Sequence, residues 1–142
     1  SARAVIPTIS TQVLSGSKEV FLGSLSPVRD MSYVKDTVQG FIAVAKSDKT
    51  IGQVINIGGG IGITVDELAS MILEICDSDA RIVKRTERVR HEKSEVMELI
   101  CDNYKAKKLL GWEPNYSLRQ GLEETVEWIK ENLKLYKKIY NI

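Results

Sequence analysis

The sequence has few of the residues on which metal centres and nucleophilic catalysis usually depend. Its 142 residues include two cysteines, Cys76 and Cys101, and a single histidine, His91. A structural zinc site needs about four such ligands, and a Ser/His/Asp system needs a histidine beside suitable partners. His91 is followed instead by Glu92 and Lys93. The sequence therefore predicts neither a metal site nor a histidine-dependent nucleophile.

Long apolar runs and an excess of one charge are also absent. No segment approaches the roughly 20 apolar residues of a membrane span, and the opening SARAVIPTIS lacks the apolar region of a secretory signal. The net charge of +1 provides no bulk attraction to nucleic acid or to a membrane. Cys76 and Cys101 each follow an isoleucine, which favours buried free thiols over a disulfide. We expect a cytoplasmic protein in which residues 1–142 form one domain.

The spacing of apolar residues predicts an α/β chain with several helices and short strands. Residues 53–57 include the apolar residues Val54, Ile55 and Ile57, and we interpret the segment as a covered strand in a parallel sheet. Residues 86–95 are polar and charged, which predicts a surface loop. The first expected elements are a helix over 2–14 with Pro7 in its opening turn and Gly16 as its stop, a strand over 19–23, an extended segment over 29–34 and a helix capped by Asp36. A strand over 53–57, a helix opened by a capping box of Thr64 and Glu67, and a strand over 80–84 follow. The last two elements are a helix from Asp102 to Gly111 and a helix opened by Ser117 and Gln120.

A glycine-rich segment after residues 53–57 suggests a dinucleotide-binding turn. Glycines there would let the backbone approach a pyrophosphate at a helix N-terminus. Gly58 and Gly60 match the first two positions of G-x-G-x-x-G, but the third holds Ile63. Lys84 and Arg85 stand where an acidic residue would normally meet the ribose. We therefore favour a tight strand-to-helix turn over a primary NAD site.

Tyr104 and Lys108 satisfy Y-x-x-x-K, the catalytic pair of short-chain dehydrogenases. Helical spacing would place both on one face, where a lysine can lower a tyrosine pKa. Four-residue patterns arise easily by chance in a lysine-rich helix. We favour a solvated helix face here.

Several segments together resemble one family, the extended short-chain dehydrogenase/reductases that act on nucleotide sugars. Their order and spacing agree over nearly the whole chain, and the resemblance implies the carboxy-terminal, substrate-binding part of such a Rossmann-type enzyme with an incomplete parallel sheet. The segments are VFLG at 20–23, RDMSYVKD at 29–36, VINIG at 54–58, RHEKSEV at 90–96, DNYKA at 102–106, LGWEP at 110–114 and SLRQGLEETVEW at 117–128.

Within that family, RHEKSEV looks most like the R-P-x-K-S-E-V form of the 4,6-dehydratases that act on nucleotide-linked N-acetylglucosamine. His91 replaces the proline of that form. A proline would fix φ and bias Arg90 towards an extended conformation, so without it the resemblance does not imply the family's loop geometry at this point.

The resemblance implies a set of substrate-binding residues. Arginines suit this role because a planar guanidinium binds phosphate oxygens through two parallel hydrogen bonds. Arg29 and Arg90 would converge on the nucleotide diphosphate. Alternatively, Arg29 could pair with Asp30 or Asp36, and Arg90 could lie on a solvated loop with other basic residues. The other implied contacts are Arg3 to the diphosphate, Asn56 to the substrate, and Val20, Phe21 and Leu22 to the base, partly through backbone groups.

The resemblance also implies what this chain would lack. In the family, the amino-terminal Rossmann half carries the NAD fingerprint and the tyrosine–lysine pair. The intact enzyme would oxidise the sugar at C4 with NAD, lose water across C5–C6 and return the hydride to C6. We expect this chain to lack that half, bind no NAD alone and have no catalytic residue. The exposed edge of the predicted 53–57 strand would favour self-association or domain swapping. An epimerase fragment and a stand-alone module that binds nucleotide sugars or merely assembles remain alternatives.

Overall fold

The computed structural model describes residues 4–85 and 95–136. Its elements are α1 (Val5–Leu14), β1 (Glu19–Leu22), β2 (Val28–Asp30), α2 (Val34–Ala45), a 3₁₀ turn (Asp48–Thr50), β3 (Gly62–Thr64), α3 (Val65–Ile75), β4 (Arg81–Lys84), β5 (Glu98–Leu99), α4 (Tyr104–Leu110), α5 (Leu118–Glu131) and a second 3₁₀ turn (Leu133–Leu135). The prediction of an α/β chain with several helices and short, mostly parallel strands is confirmed.

The chain divides into two compact units, and the assignment of residues 1–142 to one nucleotide-sugar-binding domain stays a prediction. The first unit comprises the segments Ser1–Pro27, Thr64–Met97 and Leu122–Ile142. The second unit comprises Val28–Ile63 and Glu98–Gly121.

The first unit combines a two-stranded parallel sheet with packed helices. β1 pairs with β4 in a register that places Glu19 opposite Arg81 and Leu22 opposite Lys84. α1 packs against both α3 and β1. Burial of each large aliphatic side chain contributes about 1.5–3 kcal/mol relative to exposure. The fully buried core side chains of this unit are Ile9, Val20, Leu68, Ile72, Leu122 and Ile129.

Local sequence signals mark the helix ends of this unit, although α1 begins at Val5, after an extended Ala4, and not at residue 2 as predicted. Pro7 lies in the first turn of α1, and Gly16 follows its end with a φ of 80°. The Thr64 hydroxyl accepts the N–H of Glu67 at 3.1 Å, and the Glu67 carboxylate accepts the N–H of Thr64 at 2.9 Å. The capping box that opens α3 is therefore confirmed.

The second unit contains β2, which pairs in parallel with β5, so that Arg29 lies opposite Leu99. The strand order in this sheet is β3-β2-β5. β2 covers only part of the predicted 29–34 segment, because α2 begins earlier than expected, at Val34.

Asp36 does not cap α2, which corrects the sequence-based prediction. Tyr33 holds the N-cap position, and Asp36 lies inside the first turn with 2% exposure. Its carboxylate accepts the backbone N–H groups of Asn115 and Tyr116 at 2.8 and 3.2 Å. Asp36 therefore holds the residues just before α5 against the first turn of α2. Local spacing in the sequence could not reveal this contact.

The predicted strand over residues 53–57 is also wrong. These residues form no regular element, and Val54 is 80% exposed. A strand exists only where a neighbour pairs with its backbone. Among the residues that the structure describes, no strand pairs with this segment.

The two helices near the carboxy-terminus begin and end close to the predicted residues. The Asp102 carboxylate accepts the N–H of Tyr104 at 3.0 Å, although Asn103 holds the N-cap position of α4. Gly111 ends α4 with a left-handed φ of 65°. Ser117 and Gln120 form the predicted reciprocal pair, with hydrogen bonds of 2.9 and 3.2 Å.

Both cysteines are free and half-buried, so the prediction of thiols rather than a disulfide is confirmed. Burial raises the pKa of both thiols. None of the helices within 4–85 and 95–136 is long and apolar enough to cross a membrane. The same residues contain no cluster of three or more His, Cys, Asp or Glu side chains suited to a metal ion.

Candidate functional site

The structure describes five of the seven predicted substrate-binding residues. Arg29 and Asn56 lie in the second unit, and residues 20–22 form most of β1 in the first unit. Arg3 and Arg90 lie outside the described residues, as does the His91 substitution in the RHEKSEV segment. The convergence of Arg29 and Arg90 on one diphosphate therefore stays a prediction.

Arg29 is the central residue of β2 and is half-buried. Its Nη1 donates a hydrogen bond of 2.8 Å to the carbonyl oxygen of Val28. This bond draws the guanidinium back along its own strand.

The neighbouring carboxylate, Asp30, connects three parts of the second unit. Its Oδ1 accepts the N–H of Gly59 at 3.0 Å, and its Oδ2 accepts the N–H groups of Gly60 and Cys101 at 2.8 and 3.1 Å. The Ser32 hydroxyl accepts the Gly59 N–H as well, at 3.0 Å. A carboxylate is a strong acceptor for several backbone donors at once. Asp30 therefore fixes the glycine-rich loop to the end of the strand that carries Arg29.

This arrangement explains the glycines that suggested a dinucleotide site. The N–H groups of Gly59 and Gly60 point at the Asp30 carboxylate, which takes the place that a pyrophosphate would occupy. A Cβ on Gly58 would lie 2.4 Å from the Cβ of Cys101, so only glycine fits there. The loop thus donates to side chains outside it, and it leads into β3 rather than joining a strand directly to a helix, so the predicted strand-to-helix turn is not formed.

Asn56 is exposed, and its Nδ2 donates to the carbonyl oxygen of Asp102 at 3.2 Å. Two residues on, the carbonyl oxygen of Gly58 accepts a hydrogen bond of 2.9 Å from Asn103 Nδ2. These two amides fix the segment that begins at Asn56 to the residues that precede α4. Asn56 also lines an open cleft of about 510 Å³ within the second unit, together with Asp30, Phe41 and Leu99.

In β1, the side chains of Val20 and Leu22 belong to the core, with 0% and 4% exposure. A ligand at this strand would therefore meet backbone groups and Phe21, which is half-buried. The Phe21 N–H donates to Gln12 Oε1 at 2.9 Å, and Gln12 Nε2 donates to the Phe21 carbonyl oxygen at 3.3 Å. The guanidinium carbon of Arg85 lies 3.7 Å from the centre of the Phe21 ring.

Sequence reasoning missed Gln12 and gave Arg85 no role in binding. Both residues meet Phe21 only because α1 packs on β1 and because β4 pairs with β1. Their spacing along the chain carries no signal of this contact.

Known proteins with similar sequences and structures cover nearly all of this chain. The sequence profile of the GDP-mannose 4,6-dehydratase family matches residues 2–125. This chain belongs to that family of nucleotide-sugar dehydratases and epimerases. The UDP-glucuronate 4-epimerase of Thermodesulfobacterium geofontis is 36% identical over 119 residues, which are 82% of this chain and 35% of the epimerase.

Two solved members of the family share the fold. The UDP-glucose 4-epimerase of Thermotoga maritima, solved with UDP-glucose, has a TM-score of 0.80 and 35% identity, over 92% of this chain and 40% of its own. The UDP-glucuronic acid 4-epimerase of Bacillus cereus, solved with UDP-glucuronic acid and NAD, has a TM-score of 0.79 and 28% identity, over 95% and 41%. The chain thus spans about two fifths or less of the family members that it matches.

The Y-x-x-x-K pattern of α4 does not resemble a catalytic pair in this family member. Tyr104 is 64% exposed, and Lys108 Nζ lies 5.6 Å from the centre of its ring. The ammonium group thus stands over the face of the ring in a cation–π contact. This geometry suits the solvated helix face that the sequence favoured.

Proposed function

We propose that this chain is the substrate-binding portion of an NAD-dependent nucleotide-sugar 4,6-dehydratase and binds the nucleotide diphosphate. The observation that carries the proposal is the Asp30 network, because it joins the strand of Arg29 to the loop that follows Asn56. Two side chains that the family resemblance assigns to the substrate thereby share one hydrogen-bonded scaffold.

A specific observation also favours an epimerase. The curated relative at 36% identity and both solved relatives described above are named 4-epimerases. The two activities share nucleotide-sugar binding, so the proposed site is the same in either case. A stand-alone nucleotide-sugar-binding or assembly module is the remaining alternative.

We propose that this chain by itself binds no NAD. The glycine-rich loop that follows residues 53–57 directs two of its N–H groups at Asp30, so it offers no cradle for the cofactor's diphosphate. We propose that NAD and the catalytic residues belong to a Rossmann half outside this chain. The chain alone would then orient a nucleotide sugar without converting it, and turnover by the purified chain with NAD would refute this.

The second unit exposes apolar side chains that a partner would cover. Val34 and Phe41 of α2 are 63% and 66% exposed, and Val54 and Leu99 are 80% and 62% exposed. Burial of such surface gains about 25 cal/mol per Å². We propose that the Rossmann half covers it and that a second copy of the chain does so in its absence. A strictly monomeric chain at high concentration in sedimentation would contradict self-association.

Calorimetric titration with UDP-, GDP- and dTDP-sugars tests the proposed binding. Arg29→Ala and Arg90→Ala should each weaken binding by about 1.5–3 kcal/mol, because each removes charged hydrogen bonds to phosphate. Arg119→Ala is a matched control, since Arg119 is an exposed arginine at the start of α5. Unchanged affinity in both test variants would remove the proposed site.

A further inference from the structure

Within the part of the chain that the structure describes, the edge of β1 that faces away from β4 meets a side chain and no further strand. The carbonyl oxygens of Lys18 and Leu22 accept the N–H groups of Arg81 and Arg85 at 3.0 and 2.8 Å, along the edge that faces β4. Backbone groups alternate between the two edges of a strand, so Phe21 directs its N–H and C=O away from β4. The Gln12 carboxamide meets both groups there.

The Gln12 carboxamide offers the Phe21 backbone the same hydrogen-bonding groups as the edge of a nucleobase. A carboxamide presents an N–H donor and a C=O acceptor side by side, and its NH2 group has a second N–H for another partner. The lactam edge of uracil, thymine or guanine presents the same pair of groups at the same spacing. Gln12 thus makes the two hydrogen bonds that such a base would make with the Phe21 backbone.

We propose that Gln12 is a built-in competitor for the nucleobase, which closes the Phe21 edge in the absence of nucleotide and is displaced when the base binds. The proposal rests on the proposed function and on the family resemblance, which implies that residues 20–22 contact the base. It adds a residue that sets how tightly the base is held.

The hydrogen bonds of Gln12 permit such a displacement. Its bond to the Phe21 carbonyl oxygen is long, at 3.3 Å, while the same Nε2 donates to the Thr8 carbonyl oxygen at 2.9 Å. The Gln12 amide can keep its hydrogen bond to the Thr8 carbonyl oxygen when a base takes its place at the Phe21 carbonyl oxygen. The Phe21 ring, which Arg85 covers, stays part of the core-facing strand throughout.

Gln12→Met tests the proposal, because methionine keeps the length and helix propensity of glutamine but makes no comparable hydrogen bond. Gln39→Met is the matched control, since Gln39 is an exposed glutamine of α2. Each full chain would be titrated with UDP, dTDP, GDP and inorganic pyrophosphate. We expect Gln12→Met to bind at least one nucleoside diphosphate about three- to tenfold more tightly than the unsubstituted chain, since two competing hydrogen bonds are gone. Its affinity for pyrophosphate should be unchanged.

The outcomes separate this proposal from the proposed function. Equal or weaker nucleoside diphosphate binding by Gln12→Met overturns the competitor role but leaves the binding function standing. Tighter binding of pyrophosphate by Gln12→Met also overturns the competitor role, because pyrophosphate has no base and the effect then does not depend on one. Absence of all nucleotide binding in both chains overturns the proposed function itself, and the competitor role with it.

A second measurement covers the case in which Gln12→Met fails to fold. In the unsubstituted chain, the side-chain amide resonances of Gln12 should shift on addition of the nucleoside diphosphate that binds most tightly and stay in place with pyrophosphate. Resonances that do not move while nucleotide binds would overturn the proposal.

Discussion

Removal of the Asp30 carboxylate should destabilise the second unit by about 3 kcal/mol. Asp30 accepts three backbone N–H groups, and each hydrogen bond to a charged group contributes about 1.5–3 kcal/mol, or roughly 4–9 kcal/mol if the three were additive. They share one acceptor and are therefore not additive. The side chain is also half-buried, so water can satisfy part of what is lost. We therefore expect Asp30→Ala to lower the unfolding free energy by about 3 kcal/mol, which is less than the lower bound of that sum.

Asp30→Asn keeps one of the two carboxyl oxygens. The amide nitrogen would replace one oxygen and face its N–H donor or donors, and the remaining neutral oxygen accepts more weakly than a carboxylate, so all three bonds would be lost or weakened. We expect a loss of about 2 kcal/mol. Asp48→Asn is the control, because Asp48 is an exposed aspartate of the same unit and its replacement should cost at most about 0.5 kcal/mol.

Equilibrium unfolding in urea measures these differences, and amide hydrogen exchange locates them. Exchange at Gly59, Gly60 and Cys101 should accelerate in both Asp30 variants, since these are the N–H groups that lose their acceptor. Unfolding free energies equal to that of Asp48→Asn, with unchanged exchange at the three amides, would refute the assigned role of Asp30.

Two further predictions follow from buried groups. Asp36→Ala should lower the unfolding free energy by about 2–4 kcal/mol, because the N–H groups of Asn115 and Tyr116 lose their acceptor in a site with 2% exposure; a thermal melt like that of the unsubstituted chain would contradict it. Burial raises the pKa of Cys76 and Cys101 above the ordinary 9.0, so both should react with iodoacetamide more slowly in the folded chain than in urea at the same pH. The buried, protonated thiols make their full contribution to folding stability below pH 9.0, and this contribution is lost as the pH rises through the raised pKa of the folded state. Equal reaction rates in the folded chain and in urea would count against the raised pKa values.

Features that depend on a few consecutive residues could be predicted from the sequence. Thr64 with Glu67 and Ser117 with Gln120 make their capping bonds across three residues, so spacing and residue type suffice. Gly111 ends α4 because glycine adopts a left-handed φ without steric cost.

Features that depend on distant residues could not be predicted. β5 has only two residues and owes its existence to pairing with β2, about 70 positions earlier. Asp36 looked like a cap because its residue type favours helix starts, but its partners are Asn115 and Tyr116. The Gln12 carboxamide meets Phe21 through the packing of α1 on β1. In each case the partner comes from the folded arrangement and has no counterpart in local spacing.

The segment 53–57 carries apolar residues of the kind found in covered strands, although the predicted strand is wrong. Apolar character is typical of a strand that is covered on both faces, yet Val54 is 80% exposed and its segment is unpaired among the described residues. Water-exposed residues gain nothing from being apolar, so the pattern suits a state in which this segment is paired and covered. The chain spans about two fifths or less of its described relatives, which leaves more than half of their length to supply such a neighbour. Val54 is therefore one of the exposed side chains that we propose the Rossmann half covers.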